Sequence, residues 1–187
     1  MILEICIACL VTGIAVWFDY RERRIPNQLA FAGMIIGLVI GMASGGVKGL
    51  AWSALGLLAG IGILFVPFAM GGMGAGDVKL LGAIGAILGA RGALFSMLYG
   101  AIAGGLISVI ILARHGRLKP FLFSILAWLA RFVGYLVPGS IGRSLRTTPH
   151  IKSSSHLPVS GLSIPYSVAI AIGLIIAIIA DFQVVNL

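Results

Sequence analysis

What most constrains this chain is the way its charges are clumped, leaving long apolar stretches between them. Six stretches are expected as membrane helices, about Ile2 to Phe18, Leu29 to Ala43, Gly49 to Met70, Val78 to Leu88, Ala93 to Ala113 and Leu162 to Ala180, of which the second and fourth are short and must thin the bilayer locally or lean on neighbours. Only 10% of the 187 residues are charged, whereas an ordinary soluble domain carries about 25%. A composition that is 60% hydrophobic also excludes disorder. The pattern predicts an all-α polytopic membrane protein with about six transmembrane helices, forming one membrane-embedded domain over residues 1–187.

The net charge of +8 suggests nucleic acid only where basic residues share a soluble face. Here they sit between apolar runs, as the positive-inside rule requires, so the expected partner is the lipid bilayer and not nucleic acid. In a six-span arrangement 11 of the 13 Lys and Arg fall on one side, against Lys48 and Arg91 on the other. The rich side is cytoplasmic, which turns both termini outward and puts Tyr20–Gln28, Gly71–Asp77 and Arg114–Ser160 in the cytoplasm. The expected location is a cytoplasmic (inner) membrane. The first run is expected to remain in place, because Glu4 stands where a signal peptide has a basic region and Trp17-Phe18-Asp19 is no cleavage site.

Phe121 to Val137 approaches spanning length but carries Arg131, whose burial in lipid costs about 2.5–3.5 kcal/mol. It is expected to be an interfacial or re-entrant helix within a cytoplasmic loop over 114–160, between the fifth and sixth spans. Ile141 to Ser160, with its serines, prolines and basic residues, reads as a mobile loop. Glycines spaced by three or four, Gly33, Gly37 and Gly41 in one run and Gly82, Gly85 and Gly89 in another, predict close helix packing. Cys6 and Cys9 have the C-x-x-C spacing without a second cysteine pair to complete a zinc site, and they are expected to pack as small hydrophobes.

Of the five acids, Glu4 and Asp181 lie near the outer ends of the first and last spans, and Glu22 lies among arginines. Asp19 and Asp77 differ. One ends the first span and the other opens the fourth, so topology puts both at the cytoplasmic edge, and an ionisable residue at a span points to function. Two carboxylates that meet there share a proton. One can then take a proton from water while the other donates to a scissile carbonyl, which is aspartic-protease chemistry.

Asp77 follows Gly71-Gly72-Met73-Gly74-Ala75-Gly76, a run unsuited to a helix interior. Gly74 and Gly76 would allow an extended peptide to approach, with free backbone N–H groups to pair with it. Phosphate-binding readings fail because Asp77-Val78 stands where a P-loop has Lys-Ser/Thr, and Lys79 occupies the third glycine position of a dinucleotide fingerprint. His115, His150 and His156 all lie in the 114–160 loop, which supports a serine-protease site poorly because a base must reach its nucleophile, and no H-E-x-x-H cluster occurs. No cofactor or metal is expected.

Asp19-Tyr-Arg-Glu-Arg-Arg-Ile-Pro-Asn27, Gly74-Ala-Gly-Asp77-Val-Lys79 and Ile164-Pro165-Tyr166 occur in the order that resembles the type IV prepilin peptidases, membrane aspartyl proteases of the GxGD type. The resemblance implies removal of a short basic leader from prepilin or pseudopilin precursors at the cytoplasmic membrane face. It implies Asp19 and Asp77 as the catalytic pair, Gly74 and Gly76 as the approach, and Lys79 either near the acids or as an interface lysine. Larger members carry a cysteine-motif domain linked to N-methylation between their first two helices, whereas this chain passes from Asp19 to Leu29 in a short loop. That resembles the peptidase-only form of tight-adherence (Flp-type) pili. Archaeal preflagellin peptidases share the two aspartates and are the nearest rival. From other classes, a proton-coupled transporter would carry its acids near the midplane, and a membrane scaffold would need none.

The 114–160 loop lies on the side expected to meet the precursor. Deleting His150–Ser155 is expected to weaken the apparent affinity for precursor, read as a raised KM in a cleavage assay; an unchanged KM would separate this loop from recognition.

Overall fold

The computed structural model describes residues 2–114, 116, 123 and 166–185. All described elements are helical: α1 (Ile2–Glu22), α2 (Asn27–Ala69), α3 (Ala75–Arg114) and α4 (Tyr166–Val185). The first three are long and apolar enough to cross a membrane. The stretch from Phe121 to Val137 lies almost wholly outside the described residues, as do the Ile141 to Ser160 segment, the three histidines and Ile164-Pro165. The chain divides into two compact units, Met1–Gly105 with Ile164–Leu187, and Leu106–Ser163. The first unit holds α1, α2, α4 and most of α3.

Four apolar runs expected as separate helices are joined in pairs. The second and third lie in α2, which is broken at Gly46 (φ 58°, ψ −141°), and the fourth and fifth lie in α3, broken at Gly89 (φ 77°, ψ 175°). Both breaks use backbone conformations that only glycine adopts without strain. The halves of α2 return on one another, since a Cβ at Gly41 would meet the Gly49 carbonyl oxygen at 2.8 Å and the Ser53 Cβ at 2.9 Å. Gly89 therefore acts as a break as well as a packing glycine: nothing lies within 4 Å of its Cβ position, while a Cβ at Gly56 would stand 2.8 Å from its Cα.

The first half of α3 is the centre of this unit. Residues 80–87 are buried without interruption, so this segment has no exposed face, the mark of a helix enclosed by others. Its neighbours are glycine faces of α2. A Cβ at Gly37 would stand 2.6 Å from the Ala86 carbonyl carbon, one at Gly33 would stand 3.0 Å from the Ala83 Cβ, and one at Gly60 would stand 2.9 Å from the Leu81 carbonyl carbon. Gly56 and Gly85 bring their backbones together in the same way. The second half of α3 meets α4 by the same device, Gly100 lying against Ala169 and Ile170. Helix α1 packs on α2 and α4, burying Ala8, Val11, Thr12 and Ala15. Cys6 and Cys9 lie on its exposed face, which corrects the expectation that they pack inside.

Gly37→Ala is expected to destabilise the protein by about 1–3 kcal/mol, because backbone atoms cannot yield to the new methyl group. Gly62→Ala, also within α2 but with nothing within 4 Å of its Cβ position, is expected to be near neutral. Thermal unfolding of both variants in detergent checks the contrast.

Candidate active site

The end of the bundle where α1 finishes and α2, α3 and α4 begin is shaped by caps and glycines. Helix α1 stops at Arg23, which adopts a left-handed conformation (φ 52°) and donates its N–H to the Asp19 carbonyl oxygen at 2.9 Å. This is a one-bond left-handed cap, and it fixes Asp19 in the last turn of α1. Pro26 then precedes α2, and its carbonyl oxygen accepts from the N–H groups of Leu29 (3.1 Å) and Ala30 (3.3 Å).

The glycine run before Asp77 divides into distinct tasks. Gly71 (φ 75°) ends α2. Its N–H donates to the Phe68 carbonyl at 2.9 Å, and the Gly72 N–H donates to the Pro67 carbonyl at 2.9 Å, the paired bonds of a Schellman motif. Gly74 precedes the first residue of α3, and its N–H donates to the Asp77 carboxylate, which is the returning half of a capping box. The N–H groups of Gly71, Gly72 and Gly74 are therefore engaged within the chain, and of the two glycines expected to offer a free N–H to a peptide, Gly74 does not. Helix α3 begins at Ala75, so Asp77 lies in its first turn, where the helix dipole favours an anion.

Gly76 is a point of close approach. A Cβ there would stand 3.1 Å from the Cβ of Ile25, the residue before Pro26. One turn further, the Lys79 Nζ donates to the Asn27 Oδ1 at 2.8 Å and lies 5.3 Å from the centre of the Phe31 ring. Two motifs far apart in the sequence thus touch at two places, Ile25 on Gly76 and Asn27 on Lys79. The polar pair is exposed, so each of its interactions lies near the lower end of its range, roughly 0.5–1 kcal/mol for the cation–π contact and about 1.5 kcal/mol for the charged hydrogen bond.

Asp19 and Asp77 are both half-buried, and the charge of Asp19 reaches Asp77. The charge of Asp77 in turn reaches the half-buried Tyr166 hydroxyl at the start of α4. Of the residues the sequence singles out, Asp19, Asp77, Gly74 and Gly76 gather at this end. Lys79 is turned onto Asn27 and Phe31. Neither of those two is predicted from the sequence as a site residue, although Asn27 closes the Ile-Pro-Asn element, which is the one signal that could have found it. Among the described residues no cluster of three or more His, Cys, Asp or Glu side chains could hold a metal ion.

The model of the type IV leader peptidase family matches residues 6–109. A prepilin leader peptidase/N-methyltransferase of Aeromonas salmonicida is 33% identical, over 73% of this chain and 50% of the relative. One of the same name from Aeromonas hydrophila is 32% identical, over 73% of this chain and 51% of the relative. The chain spans about half the length of these curated relatives. No solved structure matches. The matched stretch covers more than half of the chain and includes Asp19, Asp77 and the contacts that join their helices, and the chain belongs to the type IV leader peptidase family.

Proposed function

We propose that this protein is an aspartic endopeptidase that removes the short basic leader from prepilin-like precursors at the cytoplasmic face of the inner membrane. What supports the reading is that Asp19, in the last turn of α1, and Asp77, in the first turn of α3, lie near enough for the charge of Asp19 to act on Asp77. One carboxyl, ionised, takes a proton from water. The other, protonated, donates to the oxygen of the scissile carbonyl, and the tetrahedral species then collapses with the proton passing to the leaving amine. Gly74 is exposed, and a Cβ there would stand 3.4 Å from the Asp77 Oδ2. Its bare backbone leaves room beside the carboxylate for an extended chain. Tyr166 borders the same space.

Six crossings suit the described helices. A straight helix of 43 residues would be about 65 Å long, roughly twice the hydrocarbon thickness; the break at Gly46 falls near the middle of α2, and that at Gly89 leaves α3 a shorter first segment and a longer second one. With the end of α1, both ends of α2 and the starts of α3 and α4 at the basic side, the carboxylates face the cytoplasm and the chain termini face outward. The two relatives carry a name that joins peptidase and N-methyltransferase. This chain connects α1 to α2 through residues 23–26 alone, leaving no room there for a cysteine-motif domain, and we assign it the peptidase step without methylation, as in Flp-type systems.

Co-expression with a tagged Flp-type prepilin tests this reading by gel shift. Wild type is expected to remove the leader, while Asp19→Asn and Asp77→Asn remove none and still insert. Asparagine is the chosen replacement because it keeps an acceptor for the Gly74 N–H. Cleavage by either variant would end the aspartic assignment. Initial rates against pH are expected to be bell-shaped, since one proton must be held between two carboxyls: activity falls in acid as both protonate and in alkali as both ionise. A single-limbed profile would mean one working acid.

A further inference from the structure

We propose that Lys79, Asn27 and Phe31 form a clasp that sets the separation of Asp19 and Asp77, making Lys79 a positioning residue that does not touch the precursor. The proposal rests on the reading of the two aspartates as the catalytic pair. Lysine at a membrane edge ordinarily extends its ammonium into water along an apolar stem. Lys79 instead gives its Nζ to Asn27 at 2.8 Å and lays it over Phe31 at 5.3 Å. Asn27 is the first residue of α2, one position past the N-cap, and the N-cap residue Pro26 has no side-chain group with which to cap the helix. The Leu29 and Ala30 N–H groups are served by the Pro26 carbonyl, which leaves the Asn27 carboxamide free to reach across to α3.

The chain path gives this contact its leverage. Asp19 is tied through the Arg23 cap to the short link that begins α2, and Asp77 lies two residues before Lys79 on α3. Only residues 23–26 separate α1 from α2, and this region is bound to α3 by Ile25 on Gly76 and by Asn27 on Lys79. The first is a passive fit that depends on the missing Cβ. The second is directional: Asn27 and Phe31 lie on α2, which the short link joins to the end of α1, and Lys79 lies on α3, so a slide of α3 against α2 would move Asp77 relative to Asp19.

The test uses the full-length protein in detergent, with the tagged prepilin as substrate. Lys79→Met and Asn27→Leu are each expected to lower kcat by roughly ten- to a hundredfold, as misplaced reacting groups do, with KM changed by less than about twofold. The double variant should be no worse than either single one. Lys79→Arg should recover most of the rate, because a guanidinium can also donate to Asn27 and stack on Phe31. A severalfold rise in KM for Lys79→Met with Asn27→Leu unaffected would make Lys79 a substrate contact and overturn the clasp.

A second readout needs no catalysis. Nitroxide labels at Tyr20→Cys and Ala75→Cys, in a background of Cys6→Ala and Cys9→Ala, report the distance between the end of α1 and the start of α3. Lys79→Met is expected to broaden or shift this distance. An unchanged distribution in a stably folded sample overturns the proposal. If the wild type cleaves no prepilin, the peptidase reading fails, while the distance measurement still decides the clasp.

Discussion

The close approach of backbones across glycine is the interaction on which the rest of this structure depends. Along α2, Gly33, Gly37, Gly56 and Gly60 offer no side chain, and the first half of α3 lies against them with its carbonyls and small residues nearly in contact. In a membrane the hydrophobic effect gives helices no reason to prefer one another over lipid, so association must come from dispersion and fit. Small residues maximise both. The consequence at the functional end is positional: a segment held this tightly delivers Asp77 and Lys79 to a fixed place.

Glycine is put to different uses within a few residues. At Gly46 and Gly89 it allows a backbone turn that reverses or redirects a helix. At Gly71 it supplies the left-handed residue of a Schellman cap. Gly74 combines an N–H for Asp77 with an open approach, and Gly76 admits Ile25. A run that looks uniformly flexible in the sequence is, in the fold, a set of separate geometric requirements. This is why phosphate-loop readings, which would use consecutive N–H groups for one ligand, find no support: three of those groups are already engaged.

Much of the arrangement is legible in the sequence. Charge clumping gives the apolar runs and the helical state of the described ones, and it puts Asp19 at the end of one helix and Asp77 at the start of another. What is not legible is of two kinds. The pairing of runs into α2 and α3 depends on a single residue's backbone angles, and Gly89 has the same spacing as the packing glycines beside it. The partner of Lys79 lies 52 positions away, and no local pattern distinguishes a lysine that reaches into water from one that crosses to a neighbouring helix. Cys6 and Cys9 show the limit of reading burial from hydrophobicity in such a chain, since an apolar residue is equally at home facing lipid.

The enclosure of residues 80–87 carries a consequence for biogenesis. A segment surrounded by protein on all sides gains its stability from neighbours and little from lipid, and the run from Val78 to Leu88 is too short to partition on its own. Its receptor, the glycine face of α2, precedes it in the chain. Synthesis therefore builds the cradle before the occupant, and the centre of the bundle is completed by docking into helices already laid down in the bilayer.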